Sequence, residues 1–146
     1  YGIHPHDFHL EAMASGRTDA HLTFSDFNLL RQNAADDIVP AAAERDLGLL
    51  NGWSIMRGWL TGVALEQIAP PDKWNEDQRR AEAMRLWCQE HDIDLLQLAL
   101  QFCLSDGRVH GNPVGSLNAA QLERNVEAAS RPLPEGVIEA FVEAGL

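Results

Sequence analysis

The 146-residue chain is poor in cations, with 11 Lys and Arg against 22 Asp and Glu and a net charge of −11. That balance argues against nucleic acid or an anionic membrane as a main partner, since both attract basic surfaces. Cysteine occurs only at Cys88 and Cys103, each in an apolar stretch without CxxC spacing. Buried reduced thiols are expected rather than a disulfide or a zinc site, which fits a cytoplasmic protein. No apolar run approaches the roughly 20 residues that span a bilayer, and no charged-then-apolar signal segment opens the chain, so a soluble protein is expected. Tyrosine and lysine appear once each, as Tyr1 and Lys73. Internal repeats and low-complexity segments are absent. The opening YGI reads as the end of a strand, so the chain is expected to continue a longer polypeptide.

At 45% hydrophobic, the sequence can bury one modest core. Short apolar runs alternate with helical segments. The pattern predicts a strand end at 1–3, a helix over 7–15, a strand over 20–24, a helix over 34–45 and a strand over 47–52, with a later strand over 109–114. This βαβαβ order implies an α/β fold with parallel strands and right-handed crossovers. Pro70 and Pro71 break any helix within residues 62–75, which read as an inserted loop displaying Trp74. Asn75 with Gln78, and Asp94 with Gln97, have the spacing of capped helix starts. The first of these helices carries an apolar stripe of Ala83, Met84, Trp87, Cys88 and His91. The second is apolar nearly all round from Leu95 to Cys103 and is expected to be deeply buried. Pro134 is expected to open a last helix that Gly145 closes.

Residues 115–125, GSLNAAQLERN, carry the strongest functional signal. A Gly-Ser turn precedes a helix beginning near Asn118, and its unpaired N–H groups and dipole suit a phosphate. Gln121 and Asn125 are four apart and share a face that can meet a single ligand. Asn118 and Gln121 also have capping-box spacing, so a plain helix start explains the same residues.

This segment resembles the adenosine-phosphate end of the aldo-keto reductases, where a Gly-Ser turn after the last barrel strand precedes a helix with Gln and Asn at this spacing. Residues 51–62, NGWSIMRGWLTG, look like that family's loop after the seventh strand. Residues 69–74, APPDKW, and 95–106, LLQLALQFCLSD, look like its sugar-oxidising, L-galactose dehydrogenase-like branch. The resemblance implies the carboxy-terminal half of a (β/α)8 TIM barrel over residues 1–146, with an inserted loop at 62–75, an adenosine-binding segment at 107–130 and extra C-terminal helices. Such a barrel runs to about 250 residues.

It further implies NAD or NADP as cofactor, a small sugar or aldehyde as substrate, and an amino-terminal half of the barrel as the missing complement. Trp53, Ser54, Met56 and Arg57 would contact nicotinamide and pyrophosphate. Without a gap, Trp53 takes the family's serine position. With one residue deleted, Trp53 lies under the nicotinamide and Ser54 on the phosphate. Gly115, Ser116 and Leu117 would hold the adenosine ribose or its phosphate, together with Gln121, Arg124 and Asn125. Members that prefer NADP usually place Lys or Arg in this turn, whereas this chain is neutral until Arg124, which favours NAD.

The family's Asp, Tyr, Lys, His tetrad comes from the first four strands, and the tyrosine protonates the carbonyl oxygen. Tyr1 and Lys73 stand in the wrong places for those roles, so no catalytic residue is expected in this chain. His4 and Pro5 replace the Ser or Thr, often with Asn, that holds the carboxamide. A non-catalytic half-barrel that binds or scaffolds with a partner chain, or a degenerate interaction protein, therefore stands beside the dehydrogenase. His4, His6, Asp7 and His9 are close in sequence but straddle a turn and a helix start, and no metal site is expected. His6 and His9 are expected at the surface, Asp26 to Asn28 bordering the substrate, and His110 within the core.

Overall fold

The computed structural model describes residues 1–146, which form two compact units, Tyr1–Ser54 with Cys103–Val114 and Ile55–Phe102 with Gly115–Leu146.

In the first unit, strands β1 (Ala20–Phe24) and β2 (Gly48–Gly52) pair in parallel, with Ala20 opposite Gly48 and Phe24 opposite Gly52. Gly2 adds a parallel bridge to Leu22 on one side, and Gly111 adds one to Leu50 on the other. Four chain segments therefore lie side by side and run the same way. Helices α1 (His6–Ala14) and α2 (Ile38–Glu44) make the crossovers. Side chains of a strand alternate between faces. Leu49 points into a core with Met13, Phe27, Ala34, Ile38, Val39, Ala42 and Val109, while Leu50 lies on the opposite face, 40% exposed. The unit is α/β with parallel strands, as its sequence pattern implies.

Two of these elements and one residue differ from expectation. The helix expected over 34–45 divides into a short 3₁₀ turn, Asn33–Ala35, and α2, because the Asp37 carboxylate accepts the Ile38 N–H at 2.6 Å and restarts the helix there. The strand expected over 109–114 shrinks to one bridge. Its ladder consists of His110 N–H to the Leu49 carbonyl (2.8 Å) and Asn51 N–H to the Gly111 carbonyl (2.9 Å), and Pro113 has no N–H to extend it. His110 is exposed, not in the core, and its Nδ1 accepts the Leu49 N–H at 3.1 Å.

The second unit contains α3 (Glu76–Glu90), α4 (Leu95–Leu104) up to Phe102, α5 (Ala119–Ser130) and α6 (Val137–Glu143). The capping box at α3 is complete: Asn75 accepts from Gln78 N–H, and the Gln78 side chain accepts from Asn75 N–H. At α4 the expected box does not form. Asp94 accepts from Leu96 N–H, and the Gln97 amide instead donates to the carbonyls of Arg131 and Pro132. Leu95, Leu96, Leu98, Ala99, Leu100 and Cys103 are buried, as an all-round apolar helix requires.

The buried stripe of α3 runs through Gln78, Ala81, Met84 and Cys88. His91, expected in that stripe, is exposed: it stacks on Trp87 with ring centroids 4.1 Å apart and bonds to the Trp87 carbonyl. In the inserted loop, the Trp74 indole N–H donates to the Ala69 carbonyl at 2.8 Å, so the ring folds the loop on itself rather than standing free. Helix α6 begins at Val137, after Gly136 with φ 80°, rather than at Pro134. No helix is long and apolar enough to cross a membrane.

Leu98 is fully buried and Leu86 is 47% exposed. Leu98→Ala is expected to lower the unfolding free energy by about 2–5 kcal/mol in urea titrations, while Leu86→Ala stays within about 0.5 kcal/mol.

Candidate functional site

In parallel α/β architectures, ligands collect at the carboxyl ends of the strands. In the first unit those ends carry a row of rings. His4 follows the first segment, Phe24 ends β1 and Trp53 follows β2. The His4 and Phe24 centroids are 5.2 Å apart, and those of Phe24 and Trp53 are 6.0 Å apart. Trp53 is 43% exposed and held at φ 64°, a left-handed conformation that costs a non-glycine residue on the order of 1 kcal/mol. Ser54 beside it is only 1% exposed, and its hydroxyl has no hydrogen-bond partner. Buried polar groups are nearly always paired, so an orphaned hydroxyl here fits contact with an added acceptor. Asn51 is anchored by its amide to the Phe27 carbonyl at 2.7 Å.

The same unit holds a histidine cluster whose burial differs from the expected surface placement. His6 is partly buried between Asp26 and Asp37. His9 is 0% exposed: its Nε2 meets the Ile3 carbonyl at 2.8 Å and its Nδ1 meets His21 Nδ1 at 2.9 Å. The Ile3 carbonyl can only accept, so His9 carries a proton on Nε2 and, as a neutral ring, accepts at Nδ1. His21 then donates from Nδ1 and accepts from the Thr18 hydroxyl at Nε2, 2.8 Å away. The Nδ1–Nδ1 contact needs one donor and one acceptor, so at least one of the two rings is neutral, and burial, which lowers both pKa values, favours the neutral pair. Asp26 and Asn28 are buried as well, and Asn28 turns the chain by accepting from the N–H groups of Leu30 and Arg31.

In the second unit, Met56, Arg57 and Gly58 all have positive φ, at 44°, 57° and 91°. Two adjacent left-handed non-glycine residues mark a strained turn, a feature that gathers at binding loops. Met56 is buried and Arg57 exposed.

The Gly115–Ser116–Leu117 turn is wholly exposed, Leu117 to 93%. Asn118 caps α5 by accepting the Gln121 N–H at 2.9 Å. The box is only half formed, because the Gln121 side chain accepts from Leu117 N–H instead. The Asn125 amide donates to the Ser116 hydroxyl at 3.1 Å. Gln121 and Asn125 do share a face, and on it they brace the turn. Arg124 donates to the Thr61 carbonyl at 3.0 Å and lies 3.7 Å from Asp94, so its charge is already engaged.

A family model described as the aldo/keto reductase family matches residues 9–145. The chain belongs to the aldo/keto reductase family. A D-threo-aldose 1-dehydrogenase from Pseudomonas sp is 30% identical over 127 residues, covering 82% of this chain and 37% of that protein. The chain thus spans little more than a third of the length of the curated relative it matches. Within this aldo/keto reductase chain, Tyr1 lies edge-on to His9 and His21, and Lys73 is exposed in a short 3₁₀ turn.

Sequence reading missed Phe24 and the pairing of His6 with Asp26 and Asp37. The signal for Phe24 was its place at the carboxyl end of β1, equivalent to His4 and Trp53 at their strands. The aspartates are 20 and 31 residues from His6, and no local spacing marks them.

Two outcomes follow from these environments. Burial pushes the Cys88 and Cys103 thiols up to about 12, so both are expected to react with a disulfide reagent only when the chain unfolds. His9 and His21 have lowered pKa values, so their contribution to stability is complete above pH 6.5 and falls as pH drops below it. The urea midpoint is expected to decrease from pH 6.5 to 5.5, and His9→Gln/His21→Gln should remove most of that decrease.

Proposed function

We propose that this chain is the carboxy-terminal half of a (β/α)8 barrel in an NAD(P)-dependent oxidoreductase of the aldo/keto reductase type. Its role is to hold the cofactor rather than to perform proton transfer. The observation that carries this reading is the row of His4, Phe24 and Trp53 at the carboxyl ends of three parallel segments, beside the orphaned Ser54 hydroxyl. A flat, partly exposed ring suits an aromatic ligand, and stacking adds about 0.5–1.5 kcal/mol beyond buried area. Half a barrel also accounts for an apolar strand face left open at Leu50, since a barrel interior is filled by side chains from all its strands.

In this reading Trp53 lies under the nicotinamide and Ser54 meets a phosphate. Met56 and Arg57 approach the pyrophosphate, where a guanidinium gives charge-assisted bonds. Gly115, Ser116 and Leu117, braced by Gln121 and Asn125, hold the adenosine ribose. When bound, the cofactor supplies hydride exchange with a hydroxyl or carbonyl carbon. NAD is preferred, because the turn is neutral and Arg124 is already bonded to Thr61 and close to Asp94. The substrate is a small sugar or aldehyde, in keeping with the aldose named for the Pseudomonas relative and with the sugar-oxidising branch that residues 69–74 and 95–106 resemble. A second reading, a non-catalytic half-barrel that pairs with another chain, is favoured by the same open Leu50 face.

Titrating the chain with NAD and NADP while following tryptophan fluorescence tests the proposal. Tighter binding of NAD is expected, with Trp53→Ala weakening it about tenfold. Unchanged binding in Trp53→Ala would contradict the assigned floor, and tighter NADP would contradict the preference. Aldose oxidation is expected only when a tetrad-bearing amino-terminal half is supplied. If that half restores no turnover, the scaffold reading takes precedence.

A further inference from the structure

The loop carrying His4 is tied down by a group that the proposed cofactor contacts do not use. His6 Nδ1 lies 2.9 Å from Asp37 Oδ2, and its Nε2 lies 3.1 Å from Asp26 Oδ2. A neutral imidazole has one N–H and one lone pair, and a lone pair facing a carboxylate oxygen at this distance is repulsive. Only the imidazolium donates to both. Asp37 caps α2, and Asp26 sits in the loop after β1, 7% exposed at its side chain. One protonated ring therefore connects three pieces of chain: the His4–Pro5 loop, the loop after β1 and the start of α2.

We propose that His6 is a positioning residue, a proton-dependent clamp that fixes the His4 loop in the ring row and releases it when the proton leaves. The proposal rests on the reading of that row as the cofactor's floor.

The surrounding groups leave His6 as the ring that carries the charge. Asp26 and Asp37 face it from neighbouring elements. His9, one turn along α1, is committed to the neutral chain through His21 of β1 and Thr18, and a charged His6 further disfavours its protonation. His4 is largely exposed and 3.9 Å from the second Asp26 oxygen. Burial opposes charge on His6, but its bonds to Asp37 and Asp26 outweigh burial and raise its pKa. The clamp is then complete below pH 6.5 and is lost as pH rises through the raised value.

Nuclear magnetic resonance of the ¹⁵N-labelled chain tests this without cofactor. At pH 6.5 both His6 ring nitrogens are expected at imidazolium shifts, titrating above 6.5. Asp37→Asn, which can still cap α2, should move that midpoint down. Amide protection of residues 4–8 should show a step at the His6 midpoint that His6→Gln abolishes. A single neutral His6 tautomer at pH 6.5, or loop protection with no such step, would overturn the clamp. In parallel, NAD affinity should fall about tenfold across the same midpoint. Binding without that fall contradicts the positioning role. If NAD binds at no pH while the protection step appears, the cofactor reading fails and the clamp stands.

Discussion

Parallel pairing of β1 with β2, extended by single bridges at Gly2 and Gly111, sets where every other part of the first unit can go. Because the strands run the same way, each connection must cross over, which requires α1 and α2. Their carboxyl ends also emerge side by side, which brings residues from positions 4, 24 and 53 into one row of rings. The register puts His21 and Thr23 opposite Leu49 and Asn51, so the helix-covered face is partly polar. That polarity is met by the His9–His21–Thr18 chain in one place and left open at Thr23 and Asn51 in another.

Charge in the first unit is partitioned with the same logic. One histidine is placed between two carboxylates and burial favours the neutral form of the two beside it, so cation and neutral pair sit within a single βα unit. The two arrangements respond to pH with opposite sign, and the unit is best held between them. In the second unit electrostatics do something simpler. Arg85 and Glu82 pair at 2.6 Å, and the same carboxylate accepts the Leu65 N–H, anchoring the inserted loop to α3.

The sequence conveyed local structure well. The alternation in residues 20–24 marked β1 at its observed limits, and Asn75 with Gln78 announced a cap that forms in full. Identical spacing misled at Asp94 and Gln97, because a carbonyl pair 34 and 35 residues away competes for the glutamine amide. His9 looked like a surface residue because its neighbours His6 and Asp7 are polar. Its true partner, His21, comes from the adjacent strand and is visible only after folding. The turn at residues 115–117 was legible as a motif, while the bracing by Gln121 and Asn125 depended on side-chain direction that spacing alone leaves open.

Saturation-transfer nuclear magnetic resonance with NAD tests most directly whether the strands' carboxyl ends form a nicotinamide floor. Irradiating the chain's aromatic protons should transfer most strongly to the nicotinamide ring protons and should be lost from them in Trp53→Ala. Transfer confined to the adenine protons, or unchanged nicotinamide transfer in that variant, would contradict the account.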